Sequence, residues 1–131
     1  MKLLLDTHIW VHAVLRPERL GRHVRREIER SQNELFLSPI SIWEADHVVR
    51  KGKIKPKRPF HEWLPLALAA IPVREAALTF AVAAEAARIV LPHPDFGDVY
   101  LAAIAVTLDL TLVTEDAQLL SCTWLKTMAN G

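Results

Sequence analysis

The chain has 131 residues, of which 51% are hydrophobic and 24% charged, so it is long enough for one folded domain and too apolar for a disordered protein. Its single cysteine, Cys122, excludes an internal disulfide and fits a reducing compartment, and no apolar run approaches the roughly 20 residues of a membrane span. The apolar run at residues 3–5 is too short for a signal peptide, because it ends at Asp6. We therefore expect a single cytoplasmic domain over residues 1–131.

The net charge of +1 hides an uneven distribution of charge along the chain. Residues 1–60 contain 13 Lys and Arg against 7 Asp and Glu, for a net charge of +6, and residues 61–131 contain 3 against 8, for −5. A basic half of this kind favours a polyanionic partner, although a solvated basic surface gives the same pattern.

Short apolar runs alternate with helical periodicities along the whole chain. In chain order we predict strand 2–5, a helix from Asp6 or Thr7 to about residue 15, helix 22–30, strand 35–37, a helix begun by Ser38 and ended by Gly52, a basic connector 53–58, helix 60–70, an extended segment 71–73, helix 74–89, helix 99–108, strand 110–113, helix 117–120 and strand 122–125. Pro65 is expected to kink or break its helix, Pro72 places its segment at a sheet edge, and helix 99–108 is apolar enough to be fully buried. Strands that alternate with helices predict an α/β fold with a mainly parallel central sheet flanked by helices.

Four acidic residues occupy similar positions relative to the predicted strands. They are Asp6 at the end of the first strand, Glu44 one turn into the helix after the second strand, Asp98 at the start of the apolar helix, and Asp116 after strand 110–113. The carboxyl ends of parallel strands line one crevice, so the four carboxylates can converge there. Taken singly, the three aspartates can equally be helix caps, and Glu44 can be a solvated helical acid.

A bound divalent cation would explain such a cluster. Asp6 follows three leucines, Asp98 leads into an apolar helix, and no Lys or Arg lies within a few residues of either. Burying unpaired carboxylates is costly, and a hard cation such as Mg²⁺ or Mn²⁺ removes the repulsion between them. Such an ion holds a phosphate, orients a water and lowers the pKa of that water, which is the chemistry of phosphodiester hydrolysis.

Four segments, in order within residues 2–125, resemble the PIN-domain family and, more narrowly, the VapC-like toxins of type II toxin–antitoxin systems. They are LLLDTHIW at residues 3–10, SPISIWEADHVVRKGKI at 38–54, LPHPDFGDVYLAAIA at 91–105 and LVTEDAQL at 112–119. The resemblance implies a compact three-layer α/β fold. It also implies a Mg²⁺- or Mn²⁺-dependent endoribonuclease that hydrolyses RNA phosphodiesters with a metal-activated water.

The resemblance carries the family's site residues onto this chain. It assigns metal binding and catalysis to four acids, namely Asp6, Glu44, Asp98 and Asp116. It assigns the family's hydroxyl position to Thr114, which would form a hydrogen bond with Asp6 or with a metal-bound water. Thr7 is a weaker candidate for this role.

The third segment departs from the family pattern. Many relatives carry an arginine directly after the acid, where this chain has Val99, so no role of that arginine carries over. Asp95, three residues before Asp98, is a candidate for a helix cap or for a group that supports the site.

Three partners follow from the resemblance: an RNA substrate, a VapB-like antitoxin whose C-terminal segment covers the site, and a second copy of the chain in a homodimer. The basic segment 50–58 and the arginines of residues 16–30 can contact RNA phosphates, and the four tryptophans can stack on bases or pack in the core. Two other functions stay open, an RNA-processing PIN nuclease that is not a toxin and a catalytically degenerate module that binds RNA or protein. A neighbouring gene for a small DNA-binding protein would favour the toxin.

Overall fold

Five short parallel strands form the centre of the fold. The computed structural model describes residues 1–52 and 55–131, so residues 53 and 54, which begin the predicted basic connector and end the second family-like segment, lie outside the described residues. The strands are β1 (Lys2–Leu5), β2 (Glu34–Leu37), β3 (Arg74–Glu75), β4 (Thr111–Thr114) and β5 (Thr127–Ala129). They lie in the order β3-β2-β1-β4-β5 with every neighbouring pair parallel, which confirms the predicted α/β fold.

Helices connect the strands and cover both faces of the sheet. They are α1 (Thr7–Leu15), α2 (Arg22–Glu29), α3 (Pro39–Arg50), α4 (Phe60–Ala70), α5 (Phe80–Arg88), α6 (Phe96–Leu108) and α7 (Ala117–Leu120), with a 3₁₀ turn at Pro17–Arg19. None of the helices in the described ranges has the length and apolarity needed to cross a bilayer.

The alternation of side chains along the strands divides the core into two layers. In β1, Leu3 and Leu5 pack in a cluster that includes Trp10 of α1, whereas Leu4 packs in a second cluster that includes Ile104 of α6. Because the central strand is covered on both faces, its sequence is a continuous apolar run and does not alternate between apolar and polar residues. Helices, sheet and helices thus form the three layers that the family resemblance implies.

The prediction of one helix over residues 74–89 is wrong in its first part. Arg74 and Glu75 form the edge strand β3, paired with β2, and α5 starts only at Phe80. Thr79 caps that helix, because its Oγ1 accepts a hydrogen bond from Val82 N at 3.2 Å. The edge strand predicted at residues 71–73 is therefore displaced to β3, where pairing with β2 overrides the helical pattern.

The helix α6 begins earlier and is less buried than predicted. Asp95 is its cap and accepts a hydrogen bond from Asp98 N at 3.2 Å, so the first turn starts at Phe96. Residues 101–105 are buried, but Val106 and Leu108 in the last turn are exposed. Full burial was the wrong expectation, because only the middle of the helix, residues 101–105, packs in the second core cluster.

Two smaller differences concern α4 and the last strand. Of the kink or break predicted at Pro65, the break does not occur, because α4 continues through Pro65 to Ala70. Residues 122–125 form a turn, in which Leu125 N donates a hydrogen bond to the Cys122 carbonyl at 3.2 Å, so the strand predicted there is wrong. The last strand is β5, which pairs with β4.

We expect Leu4→Ala to lower the free energy of unfolding by about 2–5 kcal/mol, because it leaves a cavity beside the central strand, where Leu4 is fully buried. The matched control is Leu66→Ala, an exposed position on α4, for which we expect a change within about 0.5 kcal/mol. Urea denaturation followed by circular dichroism measures both. Similar losses for the two variants would contradict the layered core.

Candidate active site at the carboxyl edge of the sheet

The four predicted acids line one cleft at the carboxyl edge of the sheet. The cleft has a volume of about 560 Å³, and its lining includes Asp6, Glu44, Asp98 and Asp116. Asp6 and Asp116 follow the neighbouring strands β1 and β4, and Glu44 lies on α3, which follows β2. Parallel pairing of these strands therefore brings together residues that are far apart in the sequence.

A buried hydroxyl connects the ends of β1 and β4. Thr114 is fully buried, and its Oγ1 donates a hydrogen bond to Asp6 Oδ2 at 2.7 Å and accepts one from Asp116 N at 3.0 Å. The other Asp6 oxygen, Oδ1, accepts a hydrogen bond from Thr7 N at 2.7 Å and caps α1. Burial raises the pKa of Asp6, while these two hydrogen bonds act in the opposite direction. The Asp6 carboxylate is thus held at both oxygens.

Glu44 is held by the first residue of α1. Thr7 is buried, and its Oγ1 donates a hydrogen bond to Glu44 Oε1 at 2.6 Å. Burial raises the pKa of Glu44, the Thr7 bond lowers it, and the charges of Asp6 and Asp95 raise it further. A Cβ atom at Gly97 would lie 2.5 Å from Glu44 Oε2, so glycine at this position lets the start of α6 approach Glu44.

Asp98 has a strongly perturbed carboxyl group. Burial and then repulsion from Asp116, Asp95, Asp6 and Glu44 raise its pKa to about 7. A neutral pH therefore leaves this carboxyl group partly protonated in the protein without a bound cation. Raised pKa values caused by neighbouring carboxylates are typical of functional sites.

Helix capping explains two of the three aspartates. Asp6 caps α1, and Asp116 caps α7, with its Oδ1 accepting a hydrogen bond from Leu119 N at 3.0 Å. Asp98 lies in the first turn of α6, where Asp95 is the cap. Capping therefore gives no reason for the presence of Asp98 in the cleft.

The charge of the cleft is not balanced by ion pairs. Within the part of the chain that the structure describes, none of the four acids forms a salt bridge. In the same ranges, no three His, Cys, Asp or Glu side chains are arranged to hold a metal ion. The carboxylate oxygens have the chemistry that a hard cation prefers, but closing three of them around one ion requires side-chain rotation. Asp98 is the least restrained of the four, since its carboxylate has no hydrogen-bond partner among the described residues.

The sequence did not predict that one row of α3 side chains lines the same cleft. Trp43, His47 and Lys51 are all part of the lining. Their spacing of four residues, on the helix that carries Glu44, is the signal that would have placed them there.

The predicted basic rim is divided between several places. Lys51 lines the acidic cleft, whereas Arg16, Lys55, Lys57 and Arg58 line a separate cleft. Two arginines are paired with glutamates of α2 at 3.3 Å: Arg25 with Glu29, and Arg30, directly after the helix, with Glu27. A continuous basic track into the acidic cleft is therefore not formed by these residues.

Comparison with known sequences gives one family match. The sequence model of the PIN domain matches residues 3–123, which include all four acids and Thr114. A search of curated proteins finds no significant match.

Solved structures with a similar fold come from several bacteria. VapBC2 from Rickettsia felis, solved with a DNA fragment from its promoter, superposes with a TM-score of 0.71 at 18% identity, over 100% of both chains. VapBC-1 from nontypeable Haemophilus influenzae gives 0.68 at 15% identity, over 98% of both chains. FitAcB from Neisseria gonorrhoeae gives 0.61 at 22% identity, over 98% of this chain and 96% of that one. At these identities, the similarity establishes the fold.

We expect Asp98→Asn to stabilise the metal-free protein more at pH 8 than at pH 4. The folded-state pKa of Asp98 is raised from 3.8 to about 7, so the folded protein binds this proton more tightly than the unfolded chain does. The free energy of unfolding therefore falls as the pH rises between these two values. Asparagine removes that loss, and we expect a relative gain at pH 8 of at least about 1.4 kcal/mol, the equivalent of one pKa unit.

Denaturation in the presence of a chelator measures this gain. Asp109→Asn is the control, because Lys126 lowers the pKa of the exposed Asp109 and its replacement brings no gain at high pH. If Asp98→Asn differed from the wild type by the same amount at both pH values, the raised pKa would be contradicted.

Proposed function

The chain belongs to the PIN domain family, and we propose that it is a metal-dependent endoribonuclease that hydrolyses RNA phosphodiester bonds. The observation that carries this proposal is the cleft, in which acids from four separate elements crowd together without ion pairs among the described residues. A metal-binding phosphodiesterase needs such a charge, which would otherwise only destabilise the protein.

In this proposal, the four acids would be the ligands of Mg²⁺ or Mn²⁺. The bound ion would hold the scissile phosphate, orient the attacking water and lower the pKa of that water. Thr114 orients Asp6, and Thr7 orients Glu44, through the hydrogen bonds that these hydroxyls donate. Asp98 and Asp116 would complete the set of ligands, and the Asp98 carboxylate accepts no hydrogen bond among the described residues that would have to break for it to do so.

We also propose that the chain is the toxin of a VapBC-type pair and that an antitoxin inhibits it. Its fold is similar to that of proteins solved as toxin–antitoxin complexes, which supports this assignment. An unbalanced acidic cleft favours a partner that inserts a basic side chain. Phe80 is almost fully exposed and Val90 largely so, which supports the family expectation of a homodimer.

Replacing the acids tests the enzymatic proposal directly. We expect Asp98→Asn and Asp116→Asn each to lower the rate of RNA cleavage in Mg²⁺ or Mn²⁺ by more than about 100-fold. This exceeds the 10- to 100-fold loss that is typical when a residue supporting a metal ligand is removed. Gel analysis of labelled total RNA measures the rate and also maps the cleavage ends.

The control for this experiment is Asp109→Asn, the same chemical change at an exposed acid directly after the last residue of α6, outside the cleft. It is expected to keep the wild-type rate. Wild-type rates in both cleft variants would defeat the enzymatic proposal.

A module that binds RNA or protein without catalysis is the second candidate. It is favoured by one observation, that no three potential ligands in the described ranges are arranged around a common point. Metal binding separates the two candidates, because an ion that binds only the folded state stabilises it by mass action.

We expect Mn²⁺ at about 100 times its Kd to stabilise the wild type by about 2.7 kcal/mol, and to raise the melting temperature by several degrees. The double variant Asp98→Asn, Asp116→Asn should respond far less, whereas Asp109→Asn should respond as the wild type does. Differential scanning fluorimetry measures all three. A melting temperature that does not respond to Mn²⁺ in the wild type would favour the binding module.

A further inference from the structure

The helix α3 presents three unlike side chains along the wall of the acidic cleft. Trp43, His47 and Lys51, the last of which directly follows α3 and still has helical backbone angles, are spaced at i, i+4 and i+8, so they lie along one side of the helix. All three line the cleft, and Glu44 is the neighbour of Trp43 in the chain. The acids and this row therefore line the same cleft.

Trp43 combines exposure with a fixed position. Its side chain is 60% exposed, unlike Trp10 and Trp63, which are buried with their ring centroids 5.5 Å apart. The His47 ring lies 4.3 Å from Trp43 between centroids, in an edge-to-face arrangement at 62°. His47 Nδ1 also donates a hydrogen bond to the Trp43 carbonyl at 3.0 Å. A braced aromatic ring loses little entropy when a flat ligand stacks on it.

The charge of the cleft favours contact of the Trp43 ring with a neutral base over contact with a phosphate. Six carboxylate side chains line the cleft, and Lys51 is the one Lys or Arg in its lining among the described residues. Phosphate groups are therefore attracted weakly here in the absence of a metal ion. Stacking of a neutral base does not depend on charge, and every base has a flat face.

We propose that Trp43 is the stacking platform for an unpaired nucleobase of the RNA substrate, with His47 and Lys51 next to the adjoining sugar and phosphate. The proposal rests on the ribonuclease function proposed above. At 1.5 Å per residue, the row from Trp43 to Lys51 is about 12 Å long, which corresponds to about three stacked nucleotides at 3.4 Å each. Bases in a duplex are already stacked on both faces, so the platform selects single-stranded or looped RNA.

Anisotropy measurements with a short, labelled single-stranded RNA test this subsite. The Asp98→Asn background prevents cleavage during the measurement. In that background, Trp43→Ala is expected to raise the Kd by about 5- to 150-fold, the range that one stacked base contributes, and Trp43→Phe is expected to retain most of the affinity. Trp124→Ala is the matched control, because Trp124 is 49% exposed and lies outside the cleft, and it should leave the Kd unchanged.

A strand of the same length with abasic nucleotides separates base stacking from other effects. We expect it to bind weakly, with the same Kd for Trp43→Ala and its parent. A Trp43→Ala variant that loses equal affinity for both strands would overturn the stacking role, as would one that binds the base-containing RNA as tightly as the parent. A variant that keeps RNA affinity but loses antitoxin binding would assign the row to a protein partner instead. If the parent bound no RNA and the wild type in Mn²⁺ did not cleave it either, the ribonuclease proposal would fall together with the subsite.

Discussion

Repulsion among carboxylates at one edge of the sheet is the constraint on which the site depends. Asp98 shares a cleft with Asp6, Glu44, Asp95 and Asp116, and together with burial these charges raise its pKa to about 7. Crowding of this kind lowers the stability of the folded chain at neutral pH. A cation that binds the folded state alone restores that stability, because its binding free energy adds to that of folding. Metal binding and folding are therefore linked in the proposed function.

The fold opposes this repulsion by fixing some acids and leaving one free. Asp6 receives hydrogen bonds from the fully buried Thr114 and from the first amide of α1, and Glu44 receives one from Thr7. Both threonines are buried, Thr114 at the end of β4 and Thr7 at the start of α1. Their hydroxyls therefore have few hydrogen-bond acceptors other than the carboxylates. Asp98 has no such donor among the described residues. A site with three oriented acids and one movable acid can stay folded without an ion and still close around one.

The position of an acidic residue in the fold can be predicted from the sequence where an apolar strand leads directly into a helix. Asp6 and Asp116 are of this kind, since each caps the helix that follows β1 or β4. The start of α6 is ambiguous in the sequence, because Asp95 and Asp98 both precede the apolar periodicity and either can be the cap. The edge strand β3 has only the exposed pair Arg74 and Glu75, so its pairing with β2 defines it and no hydrophobic pattern reveals it. Contacts across the sheet, such as the bond from Thr7 to Glu44, depend on the strand order and stay hidden until that order is known.

The uneven charge of the chain has a consequence for how an RNA strand would enter the site. The first half supplies an excess of cations, yet Arg25 and Arg30 are paired with glutamates of α2, and Arg16 and Lys57 line a different cleft. The acids of both halves meet in one place, where they repel phosphate until a cation neutralises them. Under the proposed function, the ion and the RNA therefore favour the binding of each other, since each reduces the electrostatic cost of the other in the cleft. A neutral stacking surface at Trp43 complements this arrangement, because it gains affinity from a base without adding a positive charge that would compete with the metal ion for the carboxylates.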